Sequence, residues 1–585
     1  MTSRKKSFLP KLLFLLLIQV KTVDITLSSS MTDTEESTYT IADNVVTLNS
    51  DTEYTITGSC SDCQIEVAKG ISPTITLSSI TIDNSKTGPF VIKKSASVNL
   101  ILEGESTITD KETDEDSTDY EGAGIKIKSS SSLTISGSGK LNVIGTIKNG
   151  IKGGSGSNLI INGGTINVEA VNNGIAADNS VTINDGTFTI KTTEGDGIKS
   201  DPDDGDEESK GIVTINGGDF TINSYSDGIQ ASSVLTITGG NFYIKTYTDG
   251  SSSTGFNEDE ESAKGIKCSN DTGTFLLNIT GGTFELDTVD DSIHSDGNVS
   301  ITGGTFEIST SDDGVHAEEY LFLGKQNGDN SLINMNIKKS YEGLEGAYVY
   351  IYSGTYNVIA SDDGINSAGD TDEECQPGGN GNQPRGGNGG FRRNLRKRKM
   401  AECYSFHINI YGGNIYVNAE ADGLDANGNI VISGGNITVF GAKSGSDGDP
   451  IDLDGSLTIS GGTLFAGGNQ GMTQIERFAS NSQKYISNSA SYSSGQNVYI
   501  LSGDTTIRTI TIPKNIPYIY YTSPNVDSTY KFSSTSGTNS GSNSDSNSGD
   551  STTDSTEDDI KIITYNYNQK LNINALILLA FVLLL

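Results

Sequence analysis

A phrase that returns every 22 residues constrains this chain more than any bulk property. INGGTINVEAVNNGI, INDGTFTIKTTEGDGI, INGGDFTINSYSDGI, ITGGNFYIKTYTDG, ITGGTFELDTVDDSI, ITGGTFEISTSDDGV, YSGTYNVIASDDGI and YGGNIYVNAEADGL are variants of one unit. The second glycine of its pair falls at Gly164, Gly186, Gly218, Gly240, Gly282, Gly304, Gly354, Gly413, Gly435 and Gly462. The uninterrupted steps (164 to 186, 218 to 240, 282 to 304, 413 to 435) are all 22, and the longer ones hold acidic or Gly-rich insertions. Inside a unit apolar and polar residues alternate, as around Ile301, Phe306, Ile308, Val315 and Ala317. Period two belongs to strands. Three short strands and three turns per unit predict an all-β chain, a single-stranded parallel β-helix; ankyrin and TPR units need 33 to 34 residues and helical periodicity. From Gly164 onward, at ~4.8 Å per coil, the repeats predict a rod ~50 Å long.

The solenoid is expected over 40–536, with irregular early coils starting near residue 40 and end caps drawn from 24–60 and from Thr505–Pro524, because bare sheet edges aggregate. With 70 Gly, 10 Pro and no Trp in 585 residues, tight turns between strands dominate over helix or collagen. Against 39 basic residues stand 74 acidic ones, a net charge of -35, which excludes nucleic acid as a partner.

The ends predict export. A basic MTSRKK and an apolar Phe8–Val20 read as a signal peptide, 1–23, cut somewhere in 20 to 30. ALILLAFVLLL, 575–585, is too short to span a bilayer; after the Ser/Gly/Asn/Asp-rich stalk 533–574 it resembles a GPI-attachment signal. These features predict an extracellular or cell-surface monomer that meets the membrane through its C-terminal anchor alone. Cysteines of an exported chain read as disulfides: a local bridge Cys60–Cys63, and Cys375 with Cys403 stapling the insertion 375–403, leaving Cys268 odd. Asn270, Asn278, Asn298 and Asn436 head glycosylation sequons.

Nine residues past the second glycine come Asn173, Asp227, Asp249, Asp291, Asp313, Asp363 and Asp422, with Asp196 at ten. Carboxylates ~5 Å apart repel by roughly 3 kcal/mol at an effective dielectric of 20, so this column either stays wet or holds cations. Ca²⁺ suits clustered oxygens, and the doublets Asp290–Asp291, Asp312–Asp313 and Asp362–Asp363 are its strongest candidates. Asp-Gly is also ordinary turn chemistry, which is the alternative. Three residues further on, Lys199, Gln230, His294, His316, Asn366 and Asp425, with Lys267 at the matching place after an insertion, form a strip read as a polysaccharide-binding face, or as a plain solvated strand face. Without Trp, the aromatic platforms fall to Tyr225, Tyr243, Tyr247 and Tyr416.

With its Asp-Gly coils and the segment Ala421–Gln474, where GDPIDLDG is followed by GMTQ, the chain resembles a family of secreted carbohydrate-binding proteins with a pectate-lyase-like right-handed β-helix, over roughly Asp43–Ser536. That resemblance implies calcium-supported binding of acidic or plant-type polysaccharide without a catalytic centre. Lyases of this shape use an Arg or Lys base, and no Arg occurs between Lys5 and Pro384, which leaves Lys199 or Lys267. Hydrolases of this fold share an Asp-Asp pair with Gly-His-Gly and Arg-Ile-Lys; only Asp-Asp occurs here. The competing expectations are a Ca²⁺-dependent polysaccharide lyase and a structural adhesin or coat protein.

Overall fold

The structure is a computed structural model describing residues 22–113, 120–202, 210–257, 261–269, 275–368, 406–469 and 483–538. Nearly all of the signal segment, Asn270, Cys375, Cys403 with the insertion between them, GMTQ, and the chain from 539 to the C-terminal tail lie outside the described residues. No helix among the described residues is long and apolar enough to cross a membrane.

The fold is all-β, with most strands in one large, mainly parallel sheet system. From Glu105–Asp110 to Ile293–Ser295 each strand pairs with the third strand before and after it, so the 22-residue period of the sequence becomes the step of the pairing; beyond that, where Val315–Leu323 and Leu344–Ile351 run long, pairing also goes to the second strand on. Thr165–Ala170 pairs with Thr187–Thr192, which pairs with Asp219–Ser224, then Asn241–Thr246, Thr283–Thr288 and Gly304–Thr310. The strand following each turn runs in the same way, from Ile198–Ser200 through Ile229–Ala231, Ile266–Cys268 and Ile293–Ser295. The insertions between Gly186 and Gly304 are absorbed in the turns, while the longer repeat that follows shifts register between Ile308 and Ser309 and between Ala317 and Tyr320.

Alternation is what selects strands here: one side chain in two goes to the core, the other to the surface. The inward positions repeat in kind. Phe188, Phe220, Phe242, Phe284 and Phe306 stack with ring centroids 4.6–4.8 Å apart and planes within 4°. Gly186, two residues before the first ring, has φ +137°, and a Cβ there would meet the Phe188 ring at 3.0 Å. The glycine of the repeat is therefore required by the aromatic stack. Beside it, an amide ladder runs from Asn216 Nδ2 to Asn184 Oδ1 (2.8 Å) and from Asn184 Nδ2 to Asn162 Oδ1 (2.7 Å).

Parallel pairing begins earlier than residue 40: Val23–Leu27 lies against Glu53–Cys60. The short antiparallel strands Thr34–Glu35, Tyr39–Ala42 and Val45–Leu48 accompany it. At the other end Thr463–Gly468 meets Ile516–Thr522 antiparallel, and Ile516–Thr522 also takes Tyr485–Tyr492. A separate three-stranded sheet of Asn497–Ser502, Thr505–Thr511 and Tyr530–Ser533 completes this region, with its own apolar core around Phe440, Phe465, Ile512 and Ile519. Cys60 and Cys63 are joined in a disulfide. Cys268 is free and buried, its thiol pushed up to about 12 by burial.

Candidate functional site

One turn of each repeat stacks Asn173, Asp196, Asp227, Lys264, Asp291, Asp313, Glu342, Asp363, Asp422 and Asp449, each giving its backbone carbonyl to an N–H of the preceding repeat. The side chains form a second ladder. Asp227 N–H donates to Asp196 Oδ1 (3.0 Å), Lys264 N–H to Asp227 Oδ1 (2.8 Å), Asp313 N–H to Asp291 Oδ1 (3.1 Å), Glu342 N–H to Asp313 Oδ1 (3.0 Å) and Asp422 N–H to Asp363 Oδ1 (2.7 Å). The column is thus neither wholly wet nor held by cations alone, because one oxygen of each of these carboxylates has a backbone donor. Asp196, Asp227, Asp290, Asp291 and Asp313 are buried, while Asp312, Asp362, Asp363 and Asp422 are half-buried.

Asp249, counted into the column by spacing, stands outside it, at the position before the short turn Gly250–Ser252, which its side chain does not cap. The insertion after it shifts the count, and Lys264 takes the place. Its ammonium reaches Asp290 Oδ1 (2.5 Å) and Asp291 Oδ2 (2.8 Å), so the chain supplies a cation inside its own carboxylate column.

The position three residues on is also continuous. Strand register aligns Lys126, Lys152, Ala176, Lys199, Gln230, Lys267, His294, His316, Glu345, Asn366, Asp425 and Asp452. This strip turns from basic to acidic along the stack. Lys199 pairs with Asp196 (3.0 Å) and Asp201 (3.3 Å), and Lys267 with Asp227 (3.2 Å). Asn172, Asp196, Lys199, Asp227, Gln230, Ser262 and Lys267 line a polar groove of about 350 Å³. Burial alone would favour neutral Lys199, but Asp196 and Asp201 outweigh it and hold the amine cationic. Likewise burial pushes Asp227 up, and Lys267, Ser262 and the Lys264 amide together bring it below its usual range.

His294 is only 7% exposed and hydrogen-bonds Asp291 (2.8 Å) and Asp296 (2.9 Å), so it is an interior member of the strip. Asn366, 6% exposed, is interior as well, and Gln230 is buried. His316 hangs between carboxylates: 3.6 Å from Asp291, 3.7 Å from Asp313 and 3.5 Å from Glu345. Burial disfavours its charged form, yet Asp291, Glu345 and Asp313 raise it to about 10.

Further along no lysine, arginine or histidine among the described residues pairs with Asp363, Asp422 or Asp425. Burial first, then mutual repulsion, pushes Asp363 up to about 6, Asp422 to about 7 and Asp425 to about 8.

Spacing also overlooked an aromatic array. Outward positions of Val315–Leu323, Leu344–Ile351 and His407–Ile410 bring Tyr320 beside Tyr348 and His407, and Phe322 beside Tyr350. Tyr320 and Tyr348 stack at 4.7 Å, Phe322 and Tyr350 at 5.2 Å, Tyr352 and Tyr411 at 5.1 Å, and Tyr411 is 46% exposed. His407 Nε2 and Tyr350 Oη are hydrogen-bonded at 2.7 Å. The signal was present as YLF, YVYIY and HINIY, where alternate residues in successive repeats are aromatic or His except Asn409. Tyr225 and Tyr247 form a smaller pair at 4.9 Å with Phe256 at 5.4 Å from Tyr247, while Tyr416 packs on Phe440. Of the sequons, Asn278 and Asn298 occupy half-buried outward strand positions and Asn436 is exposed.

Residues 42–314 match the family model described as carbohydrate-binding domain-containing protein. The match ends at the first histidine-bearing repeats, short of the Ala421–Gln474 segment that carries the sequence resemblance. A solved structure described as the polysaccharide lyase-like protein from C. thermocellum, gadolinium derivative, is similar at 27% identity over 44% of this chain and 96% of that chain, with a TM-score of 0.36. No curated protein matches the chain.

Proposed function

We propose that this chain is a non-catalytic, exported carbohydrate-binding protein, built as a right-handed parallel β-helix and held at the cell surface by its C-terminal tail, that takes acidic or plant-type polysaccharide with Ca²⁺ support. The pairing of successive strands with the third before and after them, from Glu105–Asp110 to Ile293–Ser295, supports the β-helix, and right-handed crossovers are the rule for parallel strands. The observation that carries the binding function, beyond the family match, is the array of Tyr320, Phe322, Tyr348, Tyr350, Tyr352 and Tyr411. Its rings and hydroxyls together suit the apolar faces and hydroxyl edges of sugars. A chain of charge -35 repels a polyanion, so an acidic polysaccharide needs a bridging cation. The oxygen-only group Asp363, Asp422 and Asp425 is the place we assign to Ca²⁺. The lyase alternative needs a neutral lysine, which the cationic state of Lys199 disfavours.

Affinity electrophoresis through gels of pectin, cellulose or xylan, with Ca²⁺ or with chelator, tests this. The expected result is retardation on at least one polymer, weakened about tenfold or more by Tyr348→Ala with Tyr350→Ala. Unretarded migration on all three in both conditions would remove the carbohydrate reading and leave the adhesin.

A further inference from the structure

The proposed Ca²⁺ site uses only oxygens, but one place in the same column offers a different donor set. We propose that Asp313, His316 and Glu345 form a binding site for a divalent transition metal of the zinc class, completed by Asn366 and Glu342. This inference does not depend on the carbohydrate reading.

Three observations carry it. The first is spacing. His316 Nδ1 lies 3.7 Å from Asp313 Oδ2, and its Nε2 lies 3.5 Å from Glu345 Oε2. Both are too long for N–H···O hydrogen bonds, which run 2.7–3.2 Å. An imidazole gives one nitrogen to a given ion, and one ligand atom each from Asp313, His316 and Glu345 lies within 4.8 Å of the other two, close enough for the three to converge on it.

The second is charge. Among the described residues Asp313 and Glu345 pair with no basic group except His316, and Glu342 has only the amide of Asn366 (2.8 Å). Lys264 serves Asp290 and Asp291 on the far side of His316. Three carboxylates that are buried or half-buried around one imidazole are costly without a further positive charge.

The third is an orphan acceptor. Asn366 is more than nine-tenths buried, and while its Nδ2 is bonded to Glu342, its Oδ1 accepts nothing. An amide oxygen left over beside two glutamates is the kind of group that takes a metal ion or a metal-bound water. The imidazole then decides the class of ion, because nitrogen suits Zn²⁺ and its neighbours, whereas Ca²⁺ collects six to eight oxygens.

The test titrates the metal-free full chain with Co²⁺ and follows its visible d–d absorption. One equivalent should give an intense band that Zn²⁺ abolishes and that a hundredfold excess of Ca²⁺ leaves in place. His316→Gln should lower Zn²⁺ affinity about a hundredfold or more and abolish the Co²⁺ band, with Ca²⁺ binding elsewhere retained. Should that variant fail to fold, Glu345→Gln replaces it, with the same loss expected. A missing band in the parent protein, a band unchanged in the substituted protein, or displacement of Co²⁺ by equimolar Ca²⁺ would each overturn the assignment.

Discussion

The two halves of one carboxylate column behave differently, although the fold builds them in the same way. From Asp196 to Asp291 every carboxylate of the turn faces a cation of the chain: Lys199, Lys267 or Lys264. From Asp363 to Asp422 the backbone amide ladder continues, but the residue three positions on has become Asn366 or Asp425. The first half neutralises itself, and the second keeps its charge deficit. A single recurring position therefore separates a structural ladder from a cation-seeking one, with His316 at the crossing point.

The largest expected effect tests the self-neutralised half. Lys264→Ala leaves Asp290 and Asp291 buried without their ammonium, and breaking a buried pair by removing one partner costs about 3–5 kcal/mol. Urea unfolding of the variant should shift its midpoint well below that of the parent. A midpoint unchanged within error would mean that the amide ladder alone holds the column and that the two halves do not differ as argued. Asp425→Asn should act in the opposite sense, raising the midpoint in chelator at pH 8 because it removes a buried charge without a partner, and lowering Ca²⁺ affinity about tenfold or more in a calorimetric titration. Destabilisation of the chelated protein by Asp425→Asn would break the comparison from the other side.

A pH series sharpens the same contrast. The carboxyls of Asp363, Asp422 and Asp425 sit at about 6, 7 and 8 in the folded chain, against about 3.9 unfolded. The folded state binds these protons more tightly, so their stability contribution is complete below about pH 4 and is lost as pH rises through 6 to 8. Asp227 and Asp291 are held below the usual range, so theirs is present above about pH 4 and lost as pH falls further. In chelator the urea midpoint should fall between pH 5 and pH 8, and Ca²⁺ should abolish that fall. A flat profile in chelator, or a slope that Ca²⁺ leaves untouched, would mean that the acidic half carries no cation-replaceable protons.

Much of this was legible in the sequence. The 22-residue step, the period-two alternation and the recurrent Asp-Gly turn fix strand direction and the existence of the column, because register in a repeat follows directly from count. Lys264 was missed because an insertion breaks the count after Gly240. The clue remained in SAKGIKC, where Lys267 was aligned with the histidines and Lys264 stands three residues before it. Glu342 hides in the same way in SYEGLEG. Burial of His294 and Asn366 was not legible, since alternation marks them as outward and only the neighbouring turns cover them. The aromatic array was missed for another reason: its rings are matched across repeats of unequal length, so pairs such as Tyr320 and Tyr348 meet by strand register rather than at 22 residues.

The smallest expected effect is a control on burial itself. Lys338 and Glu307 form an ion pair at 2.7 Å, as short as the contact of Lys264 with Asp291, but the Lys338 side chain is 56% exposed where that of Lys264 is 15%. Water solvates both ends of the outer pair with or without the contact, so Lys338→Ala should cost no more than about 0–1 kcal/mol. Adding salt should shrink even that, while leaving the Lys264 effect largely in place, since buried pairs are poorly screened. Equal losses from the two substitutions in the same urea experiment would show that proximity rather than burial governs these pairs. The division of the column into a neutralised and a cation-seeking half would then lose its physical basis, because that division rests on the cost of leaving a charge alone away from water.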